Sequence, residues 1–210
     1  MSSDLASIQK VIAERRTIYN LCSETPVPDS EIVNIVNHAV KHVPSAFNTQ
    51  STRAVVLLNA EHEKLWDETV KVFEGLVATG AVPKEAFESW TKPKLASFRA
   101  GKGTVLFYED PAHIAGFQEK FPAFKDQFEP WAEHTNAMHQ YAVWLSLHAA
   151  GLGASLQHYN PVIDSKVAEL FKVPAEWKLR AQLVFGLKTN EPGDKNFNAL
   201  EDRVKVFGAQ

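Results

Sequence analysis

The sequence predicts an α+β fold in which helices flank a mixed β-sheet, within one domain that spans residues 1–210. Apolar runs of strand length occur one at a time between segments of helical periodicity, and no two runs are joined by a short hairpin turn. Hydrophobic residues make up 45% and charged residues 22% of the 210-residue chain. This composition is typical of a globular protein with a sizeable buried core.

The first predicted helix covers residues 7–21, where apolar residues recur at helical spacing. The same face of this helix continues onto Arg15 and Arg16. A surface helix normally turns its arginines away from the apolar stripe. These two arginines are therefore expected either at the edge of the core or facing a buried anion.

Two helices and a strand follow before residue 80. A second helix is predicted over residues 29–43, and Pro44 ends it. The continuous apolar run at 53–58 suits a strand that is covered on both faces. Helical spacing then predicts a helix over 60–79, whereas 83–100 is punctuated by proline and is expected to be helical in pieces.

The second half of the chain contains the most strongly apolar helix. A strand is predicted at 104–108, followed by a helix over 112–128 that is broken at Pro122. Residues 130–150 form a long predicted helix that is apolar nearly all round in its later part, and we expect it in the core. The remaining predicted elements are a strand at 154–158, a helix at 164–171, a strand at 179–185 and, from period-two alternation, a strand at 203–207.

Charge and cysteine content narrow the partners and the compartment. The formal net charge is −3, so no global basic field is present to hold nucleic acid. Cys22 is the only cysteine, which favours a reducing compartment. No apolar stretch approaches the roughly 18 residues needed to span a membrane, and no secretory h-region opens the chain. We therefore expect a cytoplasmic protein, with the nucleus left open, and neither nucleic acid nor membrane as a partner.

An aromatic series marks the broken helix. Phe117, Phe121, Phe124, Phe128 and Trp131 follow one another at steps of four, three, four and three residues. This spacing places the rings along one side of the helix, where they either pack into the core or form a wall against which a flat ligand stacks. Spacing alone does not distinguish these two interpretations.

No constellation of catalytic or metal-ligating side chains emerges from the sequence. His38 and His42 share a predicted helix face, but no third ligand has matching spacing, so a solvated pair is expected rather than a metal site. Cys22 has no neighbouring base, and no Gly-x-Ser-x-Gly element is present. We therefore expect no catalytic side chain.

Three short segments lie in a characteristic order along the chain. Glu14–Thr17 reads Glu-Arg-Arg-Thr, and Pro44–Gln50 reads Pro-Ser-Ala-Phe-Asn-Thr-Gln between a helix and a strand. Phe185-Gly186 is followed by a polar stretch with Lys195 and then by Glu201–Val204. Together these segments resemble the nitroreductase family of FMN-dependent flavoproteins. The resemblance implies a mostly antiparallel sheet flanked by helices.

The resemblance also implies where flavin mononucleotide (FMN) would bind. Arg15, Arg16 and Thr17 match the family element that contacts the phosphate and ribityl chain, and Lys195 and Arg203 match further cations near the phosphate. Guanidinium groups suit this role because they form bidentate, charge-assisted hydrogen bonds with phosphate.

A second group of residues would depend on a partner chain. In the family, the loop that resembles Pro44–Gln50 reaches the flavin of the other subunit, which implies a homodimer. The loop residues implied at the partner's flavin are Pro44, Ser45, Ala46 and Asn48. Gln157 and His158 match the stretch that lies beside the flavin ring. The strand predicted at 203–207 would cross to the partner's sheet.

These features together imply an FMN-dependent oxidoreductase in which the flavin carries the chemistry. It would accept hydride from NADH or NADPH, which the sequence does not distinguish, and reduce a nitroaromatic, quinone or similar small aromatic acceptor by a ping-pong mechanism. The implied substrate pocket consists of Phe117, Phe121, Phe124 and Phe128.

Two departures from the family pattern keep an alternative open. Tyr19 stands where many members carry a cation near the flavin, and Ser51-Thr52 replaces the usual Pro-Trp. These departures resemble a subgroup of fungal and bacterial nitroreductase-like proteins that is associated with oxidative-stress responses. The alternative is a flavin-binding regulatory or sensor protein of the same fold with slow turnover.

Overall fold

The computed structural model describes residues 2–209. Its helices are α1 (Ser3–Glu14), α2 (Asp29–His42), α3 (Ala60–Ala78), α4 (Lys84–Ala86), α5 (Lys92–Arg99), α6 (Pro111–Lys120), α7 (Phe128–Ala149) and α8 (Asp164–Phe171). Its strands are β1 (Leu21–Cys22), β2 (Thr52–Leu58), β3 (Gly103–Glu109), β4 (Gly153–Gln157) and β5 (Lys178–Lys188). Two 3₁₀ turns, Ala46–Asn48 and Pro122–Gln127, and a π turn, Phe87–Thr91, complete the regular structure.

The strands form one antiparallel sheet flanked by helices. β3 lies at its centre and pairs antiparallel with β2 on one side and β5 on the other, while β4 and β1 pair antiparallel with β5. Every residue of β3 is buried, as expected for a strand covered on both faces. The predicted fold class is therefore confirmed. Among residues 2–209, β2 has no strand on its outer side.

Two apolar layers cover the two faces of the sheet. On one face, Leu65 and Trp66 of α3 pack with residues of α5 and α8. On the other face, α2 packs with α7, whose Val143 and Leu147 are completely buried. The prediction that the long helix lies in the core is confirmed. No helix within residues 2–209 combines the length and the apolar character needed to cross a membrane.

The first predicted helix is too long by several residues. α1 ends at Glu14 rather than at residue 21, and the residues after it are extended. The backbone N–H of Ile18 donates to Ala154 of β4 at 3.0 Å, and Thr17 forms a parallel bridge with Ala154. This pairing competes with helix continuation, and no described residue of α1 is buried to hold a longer helix in place.

The strand predicted at 203–207 does not form within the described chain. A turn precedes Val204, and the residues after it are irregular. Val204, Val206 and Phe207 expose 57%, 70% and 92% of their surface. The alternating pattern reflects strand propensity, but a strand also requires a neighbour to satisfy its backbone groups, and residues 2–209 of the same chain provide none here.

Candidate functional site

A cavity forms where the extended segment after α1 meets the chain that follows β5. Its volume is about 490 Å³. The segment is held in place by its bridge to β4 and by burial of Ile18. The residues that line the cavity are Arg15, Arg16, Thr17, Ile18, Tyr19, Asn20, Asn190, Glu191, Pro192, Gly193, Asp194 and Lys195. Four of the predicted FMN-binding residues therefore lie at one cavity.

The two arginines are fixed in different ways. The guanidinium carbon of Arg15 lies 4.3 Å from the ring centroid of Trp144 on α7, and Nε of Arg15 is buried with no hydrogen-bond partner within residues 2–209. Nη2 of Arg16 donates to the carbonyl of Gly193 at 2.6 Å and so joins the two walls of the cavity. A buried donor without an acceptor is costly. Within residues 2–209, Arg16 uses only one of its five donors, so the cavity keeps accessible donors for an anion.

The charges around the cavity favour an anionic ligand. Arg15, Arg16 and Lys195 line the cavity together with Glu191 and Asp194. Glu191 is neutralised by Lys188, whose Nζ lies 2.7 Å away. A cation excess therefore exists locally in a chain whose net charge is −3. Such a local excess can hold a phosphate without a global basic field.

Arg203 is not part of this cavity lining. It lies in an exposed turn, where its backbone N–H donates to Leu200 at 2.9 Å. Gln157 is the last residue of β4, about 10 Å along the strand from Ala154, and His158 follows it. Gln157 is buried and donates to Ser155, whereas His158 is exposed.

The loop Pro44–Gln50 has an unusual backbone. Phe47, Asn48 and Gln50 adopt φ angles of +53°, +55° and +53°. Residues other than glycine rarely adopt this left-handed backbone conformation, and such backbone strain often occurs at functional sites. The backbone N–H of Gln50 donates to Oγ of Ser45 at 3.0 Å and closes the loop.

A buried carboxyl group anchors the end of this loop. Oγ of Ser51 and Oγ1 of Thr52 each donate to Glu109 at 2.6 Å, and Nδ2 of Asn136 on α7 donates to it at 2.8 Å. Glu109 is completely buried. It therefore ties the loop and β2 to α7. The sequence analysis missed Glu109, although an acidic residue directly after an apolar strand was a usable signal.

The aromatic series gathers around Phe47 of the loop. The Phe47 ring centroid lies 4.8 Å from Phe121, 5.4 Å from Phe124 and 5.8 Å from Trp131. Phe128 is 1% exposed and belongs to the core, whereas Phe47 and Phe124 expose 46% and 44%. The core interpretation therefore applies to Phe128, whereas Phe124 is exposed, as the stacking interpretation requires.

The remaining member of the predicted pocket, Phe117, is half-buried and packs 5.9 Å from Phe128. Phe47 was not among the predicted pocket residues. Its position inside the loop motif was the signal that could have found it.

One helix separates the two groups of residues. Trp144 contacts Arg15, whereas Trp131 contacts Phe47, and both tryptophans belong to α7. They are 13 residues apart in the sequence. At 1.5 Å of rise per residue the separation is about 20 Å. In one chain, the cationic cavity and the loop therefore lie at different ends of α7.

Known proteins resemble the chain over most of its length. The Nitroreductase family model matches residues 12–187. HBN1 of Saccharomyces cerevisiae is 35% identical over 210 residues, which cover 98% of this chain and 99% of HBN1. The nitroreductase CinD from Lactococcus lactis, solved in complex with nicotinic acid, is 37% identical with a TM-score of 0.85, over 95% of this chain and 99% of CinD.

Other solved structures extend the comparison. CinD has also been solved with chloramphenicol and with 4-nitrophenol. A nitroreductase from Desulfitobacterium hafniense with bound FMN shares the fold at 15% identity, with a TM-score of 0.68 over 95% of this chain and 97% of that protein. Since the family model and HBN1 match most of the sequence, the chain belongs to the nitroreductase family, whose members are oxidoreductases that typically bind a flavin.

Proposed function

We propose that this chain is an FMN-dependent oxidoreductase that takes hydride from NADH or NADPH and passes it to small aromatic acceptors. The cationic cavity at residues 15–20 and 190–195 carries the proposal. It combines Arg15, Arg16 and Lys195 at one place, and Arg16 uses only one of its guanidinium donors within residues 2–209. An anionic phosphate fits these donors because charge-assisted hydrogen bonds to guanidinium groups are strong.

The chain's own residues would bind and orient the cofactor. Arg15, Arg16 and Lys195 would hold the phosphate, with Thr17 beside the ribityl chain. Gln157 and His158 at the end of β4 would lie along the flavin ring. Bound FMN would supply the capacity to accept and release hydride, so no side chain needs to act as a general acid or base.

A homodimer would complete the site. The Pro44–Gln50 loop and the cationic cavity lie about 20 Å apart along α7. This separation supports the proposal that Pro44, Ser45, Ala46 and Asn48 serve the flavin of the partner chain. Two different subunits would then form each of the two sites in a symmetric dimer.

The free edge of β2 supports an exchange of the C-terminal segment between two such chains. A groove of about 470 Å³ beside this edge is lined in part by Val36, Val40 and Val56. Val204 and Val206 are exposed in the described chain. We propose that residues 203–207 cross to the partner's sheet, which would bury these side chains and bring Arg203 to the other subunit.

The aromatic surface supports the choice of acceptor. Phe47, Phe121 and Phe124 present ring surface beside the loop. CinD has been solved with nicotinic acid, chloramphenicol and 4-nitrophenol, which are all aromatic. We propose that nitroaromatic or quinone acceptors stack against these rings, because offset stacking favours flat ligands.

Tyr19 favours a second candidate function. Its neutral phenol lines the cavity at a position where many family members carry a cation, and it is 51% exposed. A less stabilised reduced flavin would turn over slowly, as in a flavin-binding sensor. Steady-state oxidation of NAD(P)H with a nitroaromatic acceptor separates the two functions, since a sensor would bind FMN but turn over hardly at all.

Visible absorbance after incubation with excess FMN and desalting tests the proposal. We expect oxidised-flavin bands near one equivalent per chain. The variant with Arg15→Ala and Arg16→Ala should lose most of the colour, while Lys10→Ala, which changes an exposed cation of α1 outside the cavity, should keep it. A folded but colourless wild-type protein would contradict the proposal.

A further inference from the structure

The side chain of Arg15 is enclosed by an aromatic face of α7. Its guanidinium carbon lies 4.3 Å from the Trp144 ring centroid and 5.9 Å from that of Tyr141. Residues 141 and 144 are three apart and therefore project from the same side of the helix. The two rings therefore lie on one side of this cation at the wall of the cavity.

This arrangement leaves only part of the guanidinium group for a ligand. Nε of Arg15 is buried and has no partner within residues 2–209, whereas the two terminal nitrogens of Arg15 are not enclosed in this way. A ligand in the cavity would therefore meet Nη1 and Nη2. Because the ring faces restrict the long side chain to one orientation, less conformational entropy is lost when an anion binds.

The indole of Trp144 has a free-energy cost that packing alone does not require. Its Nε1 is buried and also has no hydrogen-bond partner in the described part of the chain. Leucine or phenylalanine would fill an apolar position without leaving a donor unsatisfied. The property that tryptophan adds is the strongest cation-binding face among the aromatic side chains.

We propose that Trp144 is a positioning residue for phosphate binding, which it serves by orienting the guanidinium group of Arg15 toward the cavity. The inference rests on the proposed binding of FMN and adds a residue on α7 that does not line the cavity itself. It implies that Trp144 affects flavins that carry a phosphate and leaves flavins without one unchanged.

Flavin fluorescence titrations of Trp144→Met with FMN and with riboflavin test this role. Methionine fills most of the space but has no ring face. We expect the Kd for FMN to rise about two- to tenfold, which corresponds to the cost of ordering one long side chain on binding. The Kd for riboflavin, which has no phosphate, should stay the same. Trp144→Phe restores a ring face and should recover most of the FMN affinity.

Two controls make the result specific. Trp90→Met removes a tryptophan that is 78% exposed and has no contact with Arg15, and it should change neither Kd. In the background of Arg15→Ala, Trp144→Met should cause no further loss of FMN affinity, since the two residues act through one contact.

Different outcomes would contradict the proposed function and the role of Trp144. If wild-type protein binds no FMN, the proposed function fails and this inference fails with it. If wild-type protein binds FMN, the inference alone is overturned by an unchanged FMN Kd in Trp144→Met. It is equally overturned by an equal weakening of FMN and riboflavin, or by full additivity with Arg15→Ala.

Discussion

The two ends of α7 contact the cationic cavity and the Pro44–Gln50 loop through different interactions. At the end near Trp144, a guanidinium group stacks on an indole and keeps a buried donor without an acceptor. At the end near Trp131, the Phe47 ring stacks 5.8 Å away in a loop with left-handed backbone angles. The end near Trp144 contacts a buried donor that lacks an acceptor, whereas the end near Trp131 contacts a loop with strained backbone angles. In each case the fold tolerates a local cost at a place where a ligand or partner is proposed.

In the proposed homodimer, one helix would serve two sites. Trp131 and Trp144 are about 20 Å apart along α7, so each end would contribute to a different flavin in a homodimer. Apart from the variant at His62, the following variants alter one end at a time, and the expected effects decrease from the first to the last.

Removal of the Glu109 carboxyl should have the largest effect. Glu109→Leu leaves the donors on Ser51, Thr52 and Asn136 without their acceptor, and we expect the free energy of unfolding to fall by about 3–5 kcal/mol. Glu109→Gln keeps an acceptor and should lose clearly less. Urea denaturation measures both. Equal losses for the two variants would show that the hydrogen bonds do not anchor the loop.

Acid should lower the stability of the fold through His62, which lies on α3 and at neither end of α7. Burial lowers the pKa of His62 to about 4, and its Nδ1 lies 2.9 Å from Oγ1 of Thr104. The unfolded chain, with an ordinary histidine pKa near 6.5, binds more protons between these values, so stability falls as the pH drops from about 6.5 to about 4.

The expected loss in free energy of unfolding from His62 is roughly 3 kcal/mol, at 1.36 kcal/mol per unit of pKa difference. Denaturation by urea at a series of pH values measures it. His62→Gln supplies an amide NH₂ group and a carbonyl acceptor without titrating and should remove this part of the pH dependence. A variant with the same acid dependence as the wild-type protein would contradict the assignment.

Arg15→Ala should weaken FMN binding at the cationic cavity and leave the Pro44–Gln50 loop unchanged. We expect the Kd for FMN to rise about 10- to 100-fold, since one charge-assisted contact is lost. The free energy of unfolding should fall by no more than about 1–2 kcal/mol, because Arg15 loses its ring contact with Trp144 but no hydrogen bond of Nε among residues 2–209. Fluorescence titration and urea denaturation measure the two quantities. An unchanged FMN affinity would place the phosphate elsewhere.

Phe47→Gly should have the smallest effect and should alter the aromatic end. Glycine relieves the strain at φ +53° while the ring contacts are lost, so the free energy of unfolding should change by less than about 1 kcal/mol. The KM for a nitroaromatic acceptor should rise about three- to tenfold. Ferricyanide, which does not stack, serves as the control acceptor. Equal changes for both acceptors would argue against a stacking role.

Local patterns predicted the core well. The strand at 104–108 and the long helix with Val143 and Leu147 were found because continuous apolar sequence leaves few alternatives. The arginines at positions 15 and 16 were expected at the edge of the core or facing an anion, and they line the cavity just after α1 ends. Each of these predictions depends on neighbours within a few turns of the chain.

Features that depend on distant pairing were missed. The early end of α1 follows from pairing of Thr17 with Ala154, and no local signal competes with the helical spacing there. Glu109 meets Ser51, which is 58 residues away in the sequence. The alternation at 203–207 indicated a strand, but its pairing depends on a neighbour that the described chain does not provide.

Mixed dimers test most directly whether each site is built from both ends of α7 in different chains. One chain carries Arg15→Ala, and the other carries Ser45→Ala with Asn48→Gly, where glycine keeps the positive φ. If the sites are shared, each mixed dimer contains one intact site and one with both defects. Titration should then show wild-type affinity for about one FMN per dimer. Binding only at the weakened affinities of the two parent homodimers would contradict a shared site.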